Sequence, residues 1–270
     1  MAWCCARSAG SGFVVRIEDL DISRCRPGSD EQQLGDLAAI GLEWDQPVVR
    51  QSERAELYAA ALGTLREAGL LYECWCTRSE IQNASSAPHG SPGSYPGTCR
   101  QLSATELAER RASGRKPAIR VRAERAQVEF SDRVHGRQVG EVDDFVVARQ
   151  DGSFAYHLAV VVDDSEQSID EVVRGDDLLS STAAQCWLGE QLRLPRPRYV
   201  HLPLLRDQQG KRMSKRDSSA TLAGQQAHGR SPDQVRGDLA ASFGLCDRGD
   251  QPTPSELLSR FDSILVESPQ

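Results

Sequence analysis

Apolar positions along the chain follow two periods. Leu57, Ala61, Leu62, Leu65 and Ala68 fall at helical spacing and predict a helix over Ser52 to Gly69. Ser29 to Gly41 reads as another, with Ser29 as cap, Gln32 three residues on and Gly41 as the stop. Ser103 opens a third, closed into a capping box by Glu106 and ended by Gly114. Ser181 to Leu192 fits a fourth, and Ser231-Pro232 and Thr253-Pro254 each announce one more through a cap and a proline. Met1 to Arg7 has the character of the last turns of a helix, ended by Ser8-Ala9-Gly10-Ser11-Gly12. Elsewhere strand signals take over. Phe13 to Ile17 is a short apolar run that fits a buried strand, and 118–149 alternates through Ile119, Val121, Val128, Phe130, Phe145 and Val147. Asp151-Gly152 marks a tight turn. Leu158 to Val162 is strongly apolar, and Ile169 to Val173 and Tyr199 to Leu205 read as strands, the latter ending at the turn Asp207-Gln208-Gln209-Gly210. Strands alternating with helices predict an α/β fold with a mostly parallel sheet.

Residues 72–100 break this pattern. They have little periodicity, a Ser-, Gly- and Pro-rich run around Ser85 to Ser94, and three cysteines. Cys74-Trp75-Cys76 is followed by Tyr95 and Cys99. A structural zinc site takes about four ligands in a tetrahedron and favours thiolate and imidazole. Three thiolates from one loop-rich excursion suit that, with His89 the conventional fourth ligand and Tyr95 the unusual one; three buried free thiols are the alternative.

Composition narrows the class. With 270 residues, 39% hydrophobic and 26% charged, the chain can bury a sizeable core. No stretch reaches the roughly 20 apolar residues of a membrane span, and Met1 to Arg7 lacks the basic-then-apolar order of a signal peptide, so a cytoplasmic protein is expected. Eight unevenly spaced cysteines fit a reducing compartment with one metal site better than a disulfide framework. A formal charge of −7 argues against a dedicated nucleic-acid binder. Local clusters such as Arg110-Arg111, Arg115-Lys116 and Lys211-Arg212 with Lys215-Arg216 leave room for RNA contact, although each also suits a solvated face.

Several separated motifs then agree with one family. Arg16-Ile17-Glu18-Asp19-Leu20-Asp21 with Arg24 resembles the RIEDxD block of class I glutamyl-tRNA synthetases, and Gly41 to Asp45 and Gln51-Ser52 resemble the segments that follow. Tyr156-His157-Leu158-Ala159 with Val161-Val162-Asp163-Asp164, then Val173 to Leu178, resemble the next two blocks. His201-Leu202-Pro203-Leu204 leads into Lys211-Arg212-Met213-Ser214-Lys215-Arg216, which resembles the KMSKS loop. Six blocks occur in order between residues 13 and about 220. Cys-x-Cys followed by Tyr-x-x-x-Cys, Val160 within the YxLAxVVDD block, and the short stretch after Arg216 resemble the family's short branch, which glutamylates queuosine in tRNA(Asp).

The resemblance implies an ATP-dependent activation of L-glutamate, without a tRNA requirement for that step, and transfer to tRNA(Asp) carrying queuosine. It assigns Glu18 to the glutamate ammonium, Arg174 to a carboxylate, and Tyr156 to a pocket wall with a hydrogen bond. Without it, Glu18 would read as an ion-pair partner of Arg16, and Tyr156 as a core aromatic. Lys215 matches the catalytic, ATP-binding lysine of the mobile loop, which runs through Arg212, Met213, Ser214, Lys215 and Arg216 and meets the phosphates, with Mg2+ accompanying ATP. It also promotes Tyr95 over His89, so that Cys74, Cys76, Tyr95 and Cys99 hold one structural Zn2+.

The implied architecture is a Rossmann-like catalytic domain with a zinc-bearing insertion and no anticodon-binding domain, with the catalytic core expected at 1–71 and 118–222, the insertion at 72–117, and a short helical region at 223–270. The family's first strand and HIGH-like motif have no counterpart before Phe13, so an N-terminal truncation is expected. A monomer with no membrane partner is expected. Two other readings accompany this one: a fragment of a tRNA(Glu)-charging synthetase, and a non-catalytic zinc-stabilised module that binds RNA or glutamate.

Overall fold

The computed structural model describes residues 1–21, 25–85, 95–204 and 221–266. In chain order, α1 (Ala2–Ser8) leads into β1 (Arg16–Ile17), then α2 (Ser29–Ala39), β2 (Val49–Arg50) and α3 (Ala55–Glu67). β3 (Leu71–Cys74), α4 (Arg78–Ser85), α5 (Ala104–Ala112) and β4 (Ala118–Val121) follow. β5 (Ala126–Asp132), β6 (Gly136–Val142), β7 (Val146–Ala148), α6 (Tyr156–Glu166), β8 (Glu171–Gly175), α7 (Thr182–Gln191) and β9 (Arg198–Leu202) complete the middle of the chain. The last helices are α8 (Leu222–Ala227), α9 (Pro232–Ser242) and α10 (Pro254–Val266).

The strands form three sheets with orders β1-β2, β3-β4-β7 and β6-β5-β9-β8. β1 and β2 are parallel across α2, and β8 and β9 are parallel across α7. β4, β5, β6 and β7 succeed one another without a helix, and β4-β7 and β5-β6 are antiparallel. The expected mostly parallel sheet is therefore corrected: β1-β2, β8-β9 and β5-β9 pair parallel, whereas β3-β4, β4-β7 and β5-β6 pair antiparallel.

The principal core lies between the sheets and the α3, α6 and α7 helices. Tyr58, Leu65, Val121, Val147, Leu158 and Leu188 are fully buried there. Backbones approach closely where α7 lies on β6: a Cβ built on Gly140 would sit 2.5 Å from the Cβ of Ala183. A second core joins the two ends of the described chain, with Trp3, Cys4 and Cys5 of α1 against Ala240, Leu257 and Phe261. Arg236 of α9, itself buried, reinforces it by donating to Pro252 O at 2.7 Å and to Ile40 O beyond α2 at 3.1 Å. A third cluster, with Tyr72, Cys74, Trp75, Tyr95 and Cys99, sits apart in the 72–100 segment.

Local signals succeeded where a cap and its partner are neighbours. Ser103 with Glu106, Ser231 with Gln234, and Thr253 with Glu256 all form reciprocal caps. Two helix starts differ from expectation. Gly28, at φ +75°, is the N-cap of α2, so Ser29 is its first residue. Ser52 instead gives its hydroxyl and its N–H to the Asp19 carboxylate, at 2.6 and 2.8 Å, and α3 begins only after the short turn Gln51–Glu53. The run Phe13 to Ile17 forms strand only at Arg16–Ile17. No helix among the described residues is long and apolar enough to cross a membrane.

Candidate functional site

The end of β1 and the last turn of α6 meet over a cluster of opposite charges. Arg16 Nη1 lies 2.9 Å from Asp164 Oδ1, its Nε 3.8 Å from Asp163 Oδ2, and its Nη2 3.7 Å from Glu18 Oε1. Asp163 has no exposed surface and accepts from Arg54 Nε at 2.6 Å, Tyr58 OH at 2.7 Å and Gln51 Nε2 at 2.8 Å. It thus clamps α3 to α6 and holds Arg16 from behind. Arg16, Glu18, Asp164 and Gln167 face a cleft of ≈ 560 Å³ that also touches Phe13, Ile169 and Val173. About 45% of the Glu18 side chain reaches solvent, yet the protein around its carboxyl raises its pKa, and Arg16 offsets this only in part. The ion pair and the cleft position coexist: Arg16 is held mainly by Asp164, at 2.9 Å against 3.7 Å to Glu18, so the Glu18 carboxylate keeps lone pairs free to accept from a ligand.

Tyr156 begins α6, and burial raises its phenol pKa, with the charges of Arg174 and Glu18 acting on it in opposite directions. Arg174 extends from β8. Its Nε donates to His201 Nε2 at 3.0 Å and its Nη2 to Thr182 Oγ1 at 2.8 Å. His201, on β9 and fully buried, lies 2.6 Å from Asp132 Oδ2 at the end of β5. The charges of Glu18 and Arg174, far apart in sequence, thus both act on the Tyr156 phenol.

The cysteine cluster is built where β3 ends and the 95–99 turn returns. The Sγ atoms of Cys74, Cys76 and Cys99 lie within 4.8 Å of one another, a group that could hold a metal ion. Tyr95 Oη stands 3.3 Å from Cys74 Sγ and 3.7 Å from Cys76 Sγ, and Cys76 and Cys99 sulfurs are 3.5 Å apart. A tetrahedron with Zn–S near 2.3 Å has edges of about 3.8 Å, and the separations of 3.3, 3.7 and 3.5 Å are close to such edges. Burial opposes ionisation of Cys74, but hydrogen bonds from Tyr95 and Arg120 outweigh it and hold that thiol below its usual range. Arg120 Nε donates to Cys74 Sγ at 3.3 Å while its guanidinium lies 3.9 Å over the Tyr95 ring. Asp144, fully buried, braces the base of the site by accepting from Tyr72 OH and Arg100 Nε, both at 2.6 Å.

His89, Arg24 and the loop residues Arg212, Met213, Ser214, Lys215 and Arg216 lie outside the described residues. Residues 1–241 match the family model described as tRNA synthetases class I (E and Q), catalytic domain. The chain belongs to this family. Class I synthetases are ligases that use ATP, and the chain is an enzyme of that kind. A protein of Nocardia farcinica named glutamyl-Q tRNA(Asp) synthetase is 56% identical over 97% of this chain and 82% of its own length. One of the same name from Symbiobacterium thermophilum is 45% identical, over 97% of this chain and 85% of its own. Among solved structures, a glutamate tRNA ligase from Elizabethkingia meningosepticum in complex with its amino acid matches with a TM-score of 0.76 at 25% identity. The match covers 95% of this chain and 59% of that one. A glutamate-tRNA synthetase from Elizabethkingia anophelis shares the fold, with a TM-score of 0.78 at 24% identity over 95% of this chain and 60% of that one. The chain thus spans about 60% of these solved synthetases.

Sequence reasoning gave no role to several side chains in these class I clusters. Gln51, Asp163 and His201 stood inside quoted motifs, while Arg54, Tyr58, Arg120, Asp132 and Thr182 did not. A usable signal existed for two of them: Asp163 follows an uninterrupted apolar run, and His201 follows Tyr199-Val200 in a strand. Polar groups in such places are buried, and buried polar groups need partners.

Proposed function

We propose that the chain activates L-glutamate with ATP and transfers the glutamyl group to the queuosine base of tRNA(Asp). The observation that supports the amino-acid half is that the charges of Glu18 and Arg174 both act on the Tyr156 phenol. Glutamate is a zwitterion with a second carboxylate, and a site for it needs one acid and at least one guanidinium. In this reading Glu18 receives the ammonium, Arg174 grips a carboxylate through a planar fork, and Tyr156 walls the pocket and donates a hydrogen bond. The remaining carboxylate oxygen attacks the α-phosphorus of ATP, and pyrophosphate leaves. Lys215 of the KMSKS-like loop meets the negative charge that grows on the leaving group, and Mg2+ accompanies the nucleotide. A hydroxyl of queuosine then attacks the acyl carbon and releases AMP. The names of the relatives from Nocardia farcinica and Symbiobacterium thermophilum support this acceptor.

Cys74, Cys76, Cys99 and Tyr95 would hold one structural zinc, supported by the mutual proximity of the three sulfurs and by Tyr95 Oη beside two of them. When bound, the metal pins the 95–99 turn to the end of β3; it supplies no chemistry to the transfer. The proposed organisation keeps a Rossmann-like catalytic domain at 1–71 and 118–222, a zinc-bearing insertion at 72–117 and a helical region at 223–270, acting as a monomer in the cytoplasm. Glutamate-dependent exchange of label between pyrophosphate and ATP, in the absence of tRNA, tests the activation step. Exchange that requires tRNA, or that proceeds equally with aspartate, would contradict it.

A further inference from the structure

Asp132 is buried at the end of β5, and both its oxygens are committed. Oδ1 accepts from the backbone N–H of Val134 at 2.9 Å and of His135 at 2.8 Å. Oδ2 accepts from the backbone N–H of His201 at 3.1 Å and lies 2.6 Å from His201 Nδ1. An ionised carboxylate only accepts, so the proton of the imidazole belongs on Nδ1. On the other side of the ring, Nε2 stands 3.0 Å from Arg174 Nε, and a guanidinium only donates. Nε2 must therefore offer its lone pair. Two independent neighbours require the same neutral tautomer. Burial holds the imidazole below its usual pKa, against Asp132 and with Arg174, while His135 adds to the lowering. A second proton on Nε2 would set donor against donor.

The consequence falls on Arg174. Its Nε–H goes to His201 and one Nη2–H to Thr182 Oγ1 at 2.8 Å. The side-on fork of the guanidinium is consumed by this pair. Nη1 has no protein partner among the described residues, so both its protons and the second Nη2 proton remain available. Those donors form the end-on fork. The guanidinium also lies 5.7 Å over the Tyr199 ring, on which His201 stacks at 6.1 Å and 19°. Position, plane and free edge are all set before any ligand arrives.

We propose that Asp132 and His201 act as a fixed-tautomer relay that positions Arg174 for end-on capture of a carboxylate. Both are positioning residues of the amino-acid site, and the proposal rests on the reading of Arg174 as a glutamate ligand. Asp132→Asn separates tautomer from shape. Two backbone amides donate to Oδ1 and only one, that of His201, to Oδ2, so the amide oxygen stays at Oδ1 and the NH2 faces His201, donates to Nδ1 and drives the proton to Nε2. His201→Asn leaves a donor near Asp132 but nothing at the Nε2 position, whereas His201→Gln can place a carboxamide oxygen there.

Two measurements on the whole chain decide the matter. Nitrogen NMR with labelled histidine should find one of the five histidines locked with Nδ1 protonated in the unsubstituted protein, and Nε2 protonated in D132N. Calorimetric glutamate binding should weaken by about 10- to 100-fold in D132N and H201N, with H201Q recovering most of the loss. Melting curves of the four proteins identify any variant that fails to fold, and the H201N and H201Q pair then carries the test. A His201 protonated on Nε2 in the unsubstituted protein would overturn the relay, as would undiminished affinity in folded H201N. An unsubstituted protein with the expected tautomer and no glutamate affinity would instead overturn the reading of the site, and the relay's role with it.

Discussion

Asp163→Ala tests how much the carboxylate clamp contributes to the fold. Asp163 has no exposed surface, and its three donors come from Gln51, Arg54 and Tyr58 at 2.6 to 2.8 Å. Removing it leaves the Arg54 guanidinium, whose side chain is only 19% exposed, beside an apolar methyl, with Arg16 losing a second counter-charge. Breaking one side of a buried ion pair costs about 3–5 kcal/mol, and an orphaned buried hydroxyl about 1–3. Partial solvation of both arginines places the expected total near the low end, about 3 kcal/mol. For a chain of this size that is a fall of about 6–12 °C in Tm. Asp163→Asn keeps one acceptor for Arg54 and lets Tyr58 and Gln51 reorient, so its cost should be about half as great. Asp170→Asn is the comparison, because Asp170 and its partner Arg198 are two-thirds exposed and should contribute less than about 0.5 kcal/mol. Urea unfolding at neutral pH measures all three by linear extrapolation. A loss below about 1 kcal/mol in D163A, or equal losses in D163A and D170N, would refute the reasoning.

Further outcomes follow from the same geometry. Metal analysis of purified protein should give about one zinc per chain, and serine at Cys74, Cys76 and Cys99 should remove it together with amide protection over 95–117. Glu18→Ala and Arg174→Ala should abolish calorimetric glutamate binding while circular dichroism stays unchanged. Ser103→Ala should cost about 1 kcal/mol of local stability, read as faster amide exchange at the start of α5. Burial lowers the His157 pKa from 6.5 to about 4, so the unfolded chain binds the extra proton first and stability falls as pH drops through that window. The integrated loss approaches about 3 kcal/mol below pH 4, and a pH profile that His157→Gln leaves unaltered would exclude His157 as its source.

Legibility in the sequence divided along the range of the interactions. The capping box at Ser103 and the caps at Ser231 and Thr253 depend on residues three apart; all three formed, the last two with reciprocal partners Gln234 and Glu256 that the reading had not named. Ser29 read as a cap and Ser52 as a helix start, but Gly28 took the first cap in a left-handed conformation and Asp19 captured Ser52 from across the chain. The sheet was misread because alternation identifies strands without fixing their partners, and four strands in succession between 118 and 148 pair antiparallel where they meet directly. Motifs named Glu18, Tyr156 and Arg174, and in the fold the charges of Glu18 and Arg174 both act on the Tyr156 phenol. Their supports were invisible: Asp132 lies 69 residues from His201, and Arg54 lies 109 from Asp163. Arg120 read as one polar position in an alternating strand, and only the β3-β4 pairing puts it on Cys74.

Acceptor identity tests the central proposal most directly. Labelled glutamate should be transferred to tRNA(Asp) that carries queuosine, and neither to tRNA(Asp) with guanine at that position nor to tRNA(Glu). Labelling of tRNA(Glu) at its terminal ribose, with queuosine-bearing tRNA(Asp) left unlabelled, would contradict the account.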